Sequence, residues 1–279
     1  MSGSSYTYTP LGRSVKTLLG STNDLELQLG LTPIYDINST LNRKYNIAMT
    51  QPTTHPQIKY FGIGIGGTLN VSGTNLSQPQ EVSVTDMDLY TPLPFRCVPA
   101  TQDLTAIEQM QYRMRVPTMI GGVAYICYYL KLLSVAAATA AYTLVNATTG
   151  VQTPYVLDYT NLTPTPPATT VNGQISTTAQ DINVSSSAAL PLLGTEVIEA
   201  VSALYAGDLR YAKISEIGIY SGTDASVTAT NSSNVTFTYT ESLMTQLSIH
   251  TTMNGIDMSS PSATFNQQFV FAGGSIVLV

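Results

Sequence analysis

Charge is scarce in this sequence. Only 10% of its 279 residues are Asp, Glu, Lys or Arg, against about a quarter in an ordinary globular protein. Beyond Lys131 the only basic residues are Arg210 and Lys213. A nucleic-acid reader needs Lys and Arg facing the phosphates, because counterion release supplies much of its affinity. A chain of formal net charge −6 with so few cations in its second half has no such stripe, so no nucleic-acid partner is expected. Cysteine is equally sparse. Cys97 and Cys127 lack CxxC spacing, which excludes a disulfide-stapled miniprotein and leaves two buried reduced thiols as the expectation. Tryptophan is absent, and His55 and His250 are the only histidines, so near-neutral acid–base chemistry has two candidates. Neither stands in a motif, and each is expected to be a surface or hydrogen-bonded strand residue.

Catalytic and ligand motifs are missing as well. There is no G-x-S-x-G elbow, no H-E-x-x-H and no Cys/His pair with metal-ligand spacing; no enzyme, metal or cofactor is expected. Residues 62–67 match G-x-G-x-x-G formally, but the following Thr68-Leu69-Asn70-Val71-Ser72-Gly73 does not open a helix, so the match predicts a glycine-rich strand closely approached by another backbone. Asp86 and Asp88 share a strand face by period-two spacing. They could form a glycosidase pair or a calcium site, although a solvated face is the expectation. Residues 120–145 are the one run long enough to span a bilayer at about 20 residues. Lys131 near its middle would cost about 2.5–3.5 kcal/mol there, so two buried strands joined by a turn are expected and no membrane span. Residues 1–10 are polar, without an apolar core or basic start, as in a protein that is not exported.

What is abundant is Ser and Thr, roughly a quarter of the chain, with 20 Gly and 15 Pro. That composition favours strands and turns over helices. Residues 58–65 alternate as a strand ending in a Gly66-Gly67 turn, and 82–90 alternate until Thr91-Pro92-Leu93-Pro94. Asp103 is expected to cap a short helix carrying Ile107 and Met110, followed by a strand over 112–116 that Pro117 stops. Residues 123–133 are the strongest core strand, covered on both faces. Residues 195–205 are the one long helix, with Thr195 as N-cap, Glu196 at the positive dipole end, Val197, Val201 and Leu204 on one face and Gly207 as the stop. A strand over 209–220 then leads into a Ser/Thr/Asn loop through Asn234. Alternation returns at 236–239 and 247–249, Asn254-Gly255 makes a turn, and 269–271 and 276–279 close the chain. The fold class that follows is mainly β: an antiparallel β-sandwich or barrel-like domain with one or two short helices and an extended N-terminal arm. The arm covers 1–54, and the β-rich domain covers 55–279 with a Thr/Ser/Pro-rich insertion around 146–193. Arg13, Lys16, Arg43 and Lys44 lie in the arm together with many leucines, and are expected to meet an acidic neighbouring surface.

Two segments carry a resemblance. Ile58-Lys59-Tyr60-Phe61-Gly62-Ile63-Gly64-Ile65-Gly66-Gly67 resembles an opening found in tailed-bacteriophage tail and baseplate proteins. Ile214-Ser215-Glu216-Ile217-Gly218-Ile219-Tyr220 resembles the Glu-Ile-Gly strand of phage tail-collar, tail-fibre and baseplate proteins. The resemblance implies a non-enzymatic structural subunit of a virion tail, at the baseplate or a fibre-attachment collar, made in the host cytoplasm. Its partners would be copies of itself and other tail proteins; Glu216, Gly62, Gly64 and Gly218 would be structural. A charge-poor β chain suits many-copy packing, since interface cores are depleted of charge, and free strand edges can pair with neighbours. The alternatives are a receptor- or host-glycan-binding adhesin using the Thr/Ser/Asn loops, and a head or neck protein of the virion.

Overall fold

The computed structural model describes residues 13–18, 20, 21, 24, 27, 41–47, 54–70, 77–134, 141–146, 149–154, 180–230, 236–272 and 276–278. The chain is mainly β, built from antiparallel sheets in a β-sandwich-like fold. The strands are β1 (Arg13–Lys16), β2 (Gln57–Gly64), β3 (Thr68–Asn70), β4 (Ser77–Pro79), β5 (Pro92–Leu93), β6 (Arg96–Pro99), β7 (Tyr112–Ile120) and β8 (Val123–Leu132). They continue with β9 (Ala141–Asn146), β10 (Gln152–Pro154), β11 (Gln180–Leu193), β12 (Lys213–Thr230), β13 (Thr236–Asp257), β14 (Thr264–Ala272) and β15 (Ile276–Leu278). The α-helices whose bounds lie among the described residues are α1 (Leu41–Lys44), α2 (Ala106–Gln109) and α3 (Gly194–Leu204). No helix among the described residues is long and apolar enough to cross a membrane.

The chain forms two compact units. The first, Met1–Leu133 with Leu192–Phe265, holds a sheet in the order β1-β13-β12-β2-β8-β6, with β5 on β2 and β7 on β8. The second, Ser134–Pro191 with Asn266–Val279, holds β10-β9-β11-β14 with β15 on β11. The polar insertion is therefore wider than its composition marks and recruits the C-terminal strands into a sheet of its own.

The two resembling segments are direct neighbours in the first sheet. Glu216 lies opposite Gly64, Ile217 opposite Ile63, Gly218 opposite Gly62, Ile219 opposite Phe61 and Tyr220 opposite Tyr60. Strand alternation sorts these pairs onto two faces. Ile217, Ile219, Phe61 and Ile63 share one face, where Phe61 meets Phe95 edge-on with centroids 5.0 Å apart. Lys131, paired with Phe61 in register, sends its ammonium to Glu196 of α3 at 2.7 Å, both side chains being buried. The other face carries Tyr60 and Tyr220, which pack with Leu41, Met114, Leu130 and Leu247 into a fully buried cluster.

Several local expectations are corrected. Residues 81–91 are a loop, not a strand, apart from the edge of β5 that follows, because their N–H groups bond side chains: Ser83 N donates to Asp86, and Tyr90 N and Thr91 N to Glu216. The cap of α2 is Thr105, in a reciprocal box with Glu108; Asp103 instead pairs with Arg115 at 2.7 Å. Pro117 does not stop β7, which runs to Ile120 as a strand paired to β8 alone, so the missing N–H faces no ladder. The first residues of β8 are exposed in the hairpin that turns at Gly121 and Gly122, and its burial begins at Ile126. Helix α3 starts at Gly194, and the Leu193 N–H is taken by Glu196, so Thr195 is not the cap. Residues 209–211 are a 3₁₀ turn, with β12 starting only at Lys213. The loop expected after Tyr220 is strand to Thr230, and Asn254-Gly255 lies inside β13 instead of turning; β-branched Thr on a solvent-facing edge has the composition of a loop but the preference of a strand. Cys97 and Cys127, set opposite each other on β6 and β8, form a disulfide and are not free thiols.

The described part of 1–54 packs on its own chain. β1 pairs with β13 from Arg13 opposite Thr252 to Lys16 opposite Ile249. Leu41 belongs to the core cluster, and the fully buried Asn42 side chain donates to Ser242 O at 2.6 Å and accepts from Thr245 N at 2.8 Å. The rest of that segment lies outside the described residues.

Candidate functional site

A buried group of ionisable residues lies on the Tyr60/Tyr220 face, where β12 and β13 run side by side. Glu216 of β12 and His250 of β13 are both 0% exposed. A carboxylate placed there loses its water, so it must be met by donors. Glu216 Oε1 accepts the N–H of Gly66 and, at 3.1 Å, that of Thr91; Oε2 accepts the N–H of Tyr90 at 2.7 Å. His250 Nε2 approaches Oε2 at 3.3 Å, and its Nδ1 lies 2.8 Å from Asp86 Oδ2. Asp86 also accepts the Ser83 N–H at 2.9 Å and the Tyr90 hydroxyl at 3.2 Å, while the Tyr90 ring meets the imidazole edge-on at 4.8 Å.

Glycine makes room for this carboxylate. A Cβ on Gly64 would sit 2.8 Å from Glu216 Oε1 and from Thr91 O, and one on Gly66 would sit 2.7 Å from the same carboxylate oxygen. A Cβ on Gly67 would collide with the Ser215 carbonyl. Gly62 and Gly218 play the same part for the Tyr220 ring, which a Cβ there would approach to 3.0 and 2.6 Å. The glycine run at the end of β2 thus serves close packing, and Thr68–Asn70 after it is a strand and not the helix that a phosphate loop would open.

Burial alone would lower the pKa of His250, but hydrogen bonds to Glu216 and Asp86 and their charges outweigh it and raise the value. Burial pushes Tyr220 far above the ordinary tyrosine range, reinforced by Asp88, which accepts its hydroxyl at 2.9 Å. Tyr90 is pushed up to about 12, first by burial and then by Asp86. With both ring nitrogens engaged and no exposed surface, this His has no atom to offer a substrate. The donors of the three side chains do not converge on one point, and no group of His, Cys, Asp or Glu among the described residues is arranged to hold a metal ion. The chemistry available to the cluster is to fix backbone amides.

The remaining charges behave alike. Glu241 is fully buried and accepts the N–H groups of Met114, Arg115 and Ser242 at 2.6, 2.9 and 2.8 Å, at the point where Met114 takes a positive φ of 56°. Glu196 takes Lys131 and, at 2.6 Å, the Tyr112 hydroxyl. Asp224 takes Arg113 and the Tyr60 hydroxyl, each at 2.8 Å, and Glu199 takes Arg96 and the Cys97 N–H. Of the residues expected at an interface, Lys16 pairs with Asp24 and Lys44 with Asp88 within the same chain, and Arg43 is exposed. Arg13 lies in β1. Asp86 and Asp88 do not act together: one turns to His250, the other to Tyr220 and Lys44.

Glu216 was legible in the sequence as a charge inside an apolar strand. His250 and Asp86 were not paired by any signal, since 164 residues separate them and Asp86 reaches the ring from a loop that is held to Glu216 through the Tyr90 and Thr91 N–H groups. A family of unknown function (DUF7208) matches residues 4–272. No curated protein and no solved structure matches the chain.

Proposed function

The chain belongs to that family, and we propose that it is a non-enzymatic structural subunit of a phage virion, in the tail at the baseplate or a fibre-attachment collar. It would work through contacts with further copies of itself and with other tail proteins. The observation that carries this reading is the outer half of the β12–β13 hairpin. Pairing with β2 ends at Gly222, but β12 and β13 continue together from Asp224 opposite Ser242 to Thr230 opposite Thr236. Neither outer edge of this stretch has a strand partner among the described residues. A two-stranded ribbon is marginal in water, and open edges are templates for strand addition by a neighbour. Between Ala225 and Thr240 the described ribbon carries no charge, as an interface core requires. The internal use of nearly every buried charge points the same way, because it leaves scaffolding as their task.

Sedimentation of the purified chain tests this, beside a variant in which residues 226–238 are replaced by a short turn. The full chain is expected to self-associate, and the variant to be monomeric while still melting in one cooperative transition. Immunogold labelling should place the chain on the tails of purified particles. A chain that is monomeric at every concentration and absent from particles would refute the proposal.

An adhesin is the second reading, favoured by one feature. Tyr205 and Tyr211 stack at 4.2 Å, and Tyr211 stays 43% exposed. The turn that holds Tyr211 also contributes Leu209 and Arg210 to an open basin completed by Lys213, Gly255, Asp257 and Ser259, so an exposed ring and a polar basin stand next to each other on one turn. Glycan-array binding that is lost in Tyr211→Ala would favour it.

A further inference from the structure

We propose that residues 80–91 form a strap clasped to the sheet by a charged imidazole, and that deprotonation of His250 releases the strap on the alkaline side. This does not depend on a virion role. The clasp spans separate elements: Glu216 and His250 belong to the sheet, whereas Asp86 and Tyr90 belong to the strap. Both ring nitrogens of His250 face carboxylate oxygens. An ionised carboxylate only accepts hydrogen bonds, and neutral imidazole has one N–H to give. Both contacts are satisfied together only by the imidazolium.

The groups that face the ring are Glu216 from β12 and Asp86 and Tyr90 from the strap. From β1, Lys16 is engaged by Asp24. Once the ring is neutral, one carboxylate faces a lone pair inside a site that water does not reach. Glu216 stays tied to the Gly66 N–H at the end of β2, whereas Asp86 sits on the loop and is the more exposed of the two, at 14% against 0%. The cheaper relief is for Asp86 to leave and take the strap with it. The further ties of the strap include Gln80 N to Gly67 O, Leu18 N to Val84 O, Thr252 Oγ1 to Gln80 O, Ile65 N to Thr91 O, and Asp88 to Tyr220 and Lys44. These keep the opening local and reversible, and what it uncovers is the glycine face of β2 with the Glu216 carboxylate.

The sign follows from linkage. The raised pKa of His250 in the closed form means that the clasp is at full strength below the ordinary value of 6.5 and is lost as pH rises through the raised one. Over that interval the open population grows by about tenfold per pH unit.

Hydrogen exchange between pH 6 and 10, corrected for intrinsic rates, tests the clasp in the full chain. Protection of the Tyr90 and Thr91 amides is expected to fall as pH rises above 6.5, by up to about tenfold per pH unit, and to level off once ¹⁵N shifts of the ring show His250 neutral, while amides of Ile217 and Ile219 keep theirs. Asp86→Asn supplies an amide that can donate to a neutral ring, and should hold the strap closed into alkaline solution. His250→Gln should show no pH step in the strap. Strap protection that stays constant while His250 titrates, or a ring found with one protonated nitrogen at pH 6, would overturn the proposal. So would an Asp86→Asn chain that opens at the same pH as the native one.

Discussion

Up to Thr223, β12 lies buried at every position from Ile214 onward, flanked by β2 and β13; from Asp224 it runs on beside β13 alone, and its residues alternate between exposed and half-buried. The inner half is fixed by polar groups that have nowhere else to go: Glu216, His250, Ser221 and Ser248 are all buried and bonded. The outer half has Thr on one face and Val227, Phe237 and Tyr239 on the other, with Arg115 lying 5.1 and 5.5 Å over the two rings. The same pair of strands therefore shows what burial demands of charge. Where the sheet closes around them, charge is needed to satisfy irregular backbone; where it does not, charge is absent and a neighbour is wanted.

The largest effect that would sharpen this contrast is at the inner half. Glu216→Gln keeps the volume but sets an amide donor against the Tyr90 N–H or His250, and should lower stability by about 3 kcal/mol, read as a shift of the urea midpoint. An unchanged midpoint would mean that the inner charges are dispensable, and the contrast would fail. Glu241→Gln, at the junction, should cost less, about 1–2 kcal/mol. Burial already pushes the Glu241 carboxyl upward against its three N–H bonds, so the neutral amide resembles the native group more closely.

These two carboxylates also show how far the sequence could be read. A charge between Ser215 and Ile217 in β12 announces a buried partner, and the alternation of Ile58 to Ile65 places β2 correctly; their pairing explains why both carry glycine on one face. The partners themselves are set by register. β12 and β13 slip against each other at Ile219/Tyr220 and at Ser221/Thr223, and no local pattern encodes those bulges. Asp86 was assigned to a strand because period two fits 82–90, but its neighbours' N–H groups are claimed by side chains from far along the chain. The β12 side of the outer ribbon reads as a loop because Thr, Ser and Asn have the same composition in both states and only a partner strand decides between them, whereas the alternation at 236–239 marks the β13 side.

At the outer half, Tyr239→Ser removes one ring from the Arg115 stack. On the isolated chain it should cost about 1 kcal/mol, because the ring is half-buried, whereas the association constant measured by sedimentation should fall more steeply if that face is an interface. A stability loss as large as that of Glu216→Gln would erase the distinction between the halves, by making the outer ribbon part of the core.

The smallest effect is expected at the boundary. Asp224 lies just beyond the β2 pairing and joins Arg113 and the Tyr60 hydroxyl to the ribbon. Burial alone would raise its pKa, but the bond and charge of Arg113, the Tyr60 hydroxyl and Lys59 outweigh it and bring the value below the ordinary 3.8. A carboxylate with a depressed folded pKa contributes stability above its unfolded value and loses it as pH falls through the folded one. With the carboxylate partly open to solvent, the contribution is screened to about 0.5 kcal/mol. Asp224→Asn should therefore melt slightly below the native chain at pH 7, and the gap between the two melting curves should close as pH drops below about 4. A gap that persists in acid would mean that Asp224 acts through shape instead of charge. The boundary between the two halves would then be drawn by packing alone.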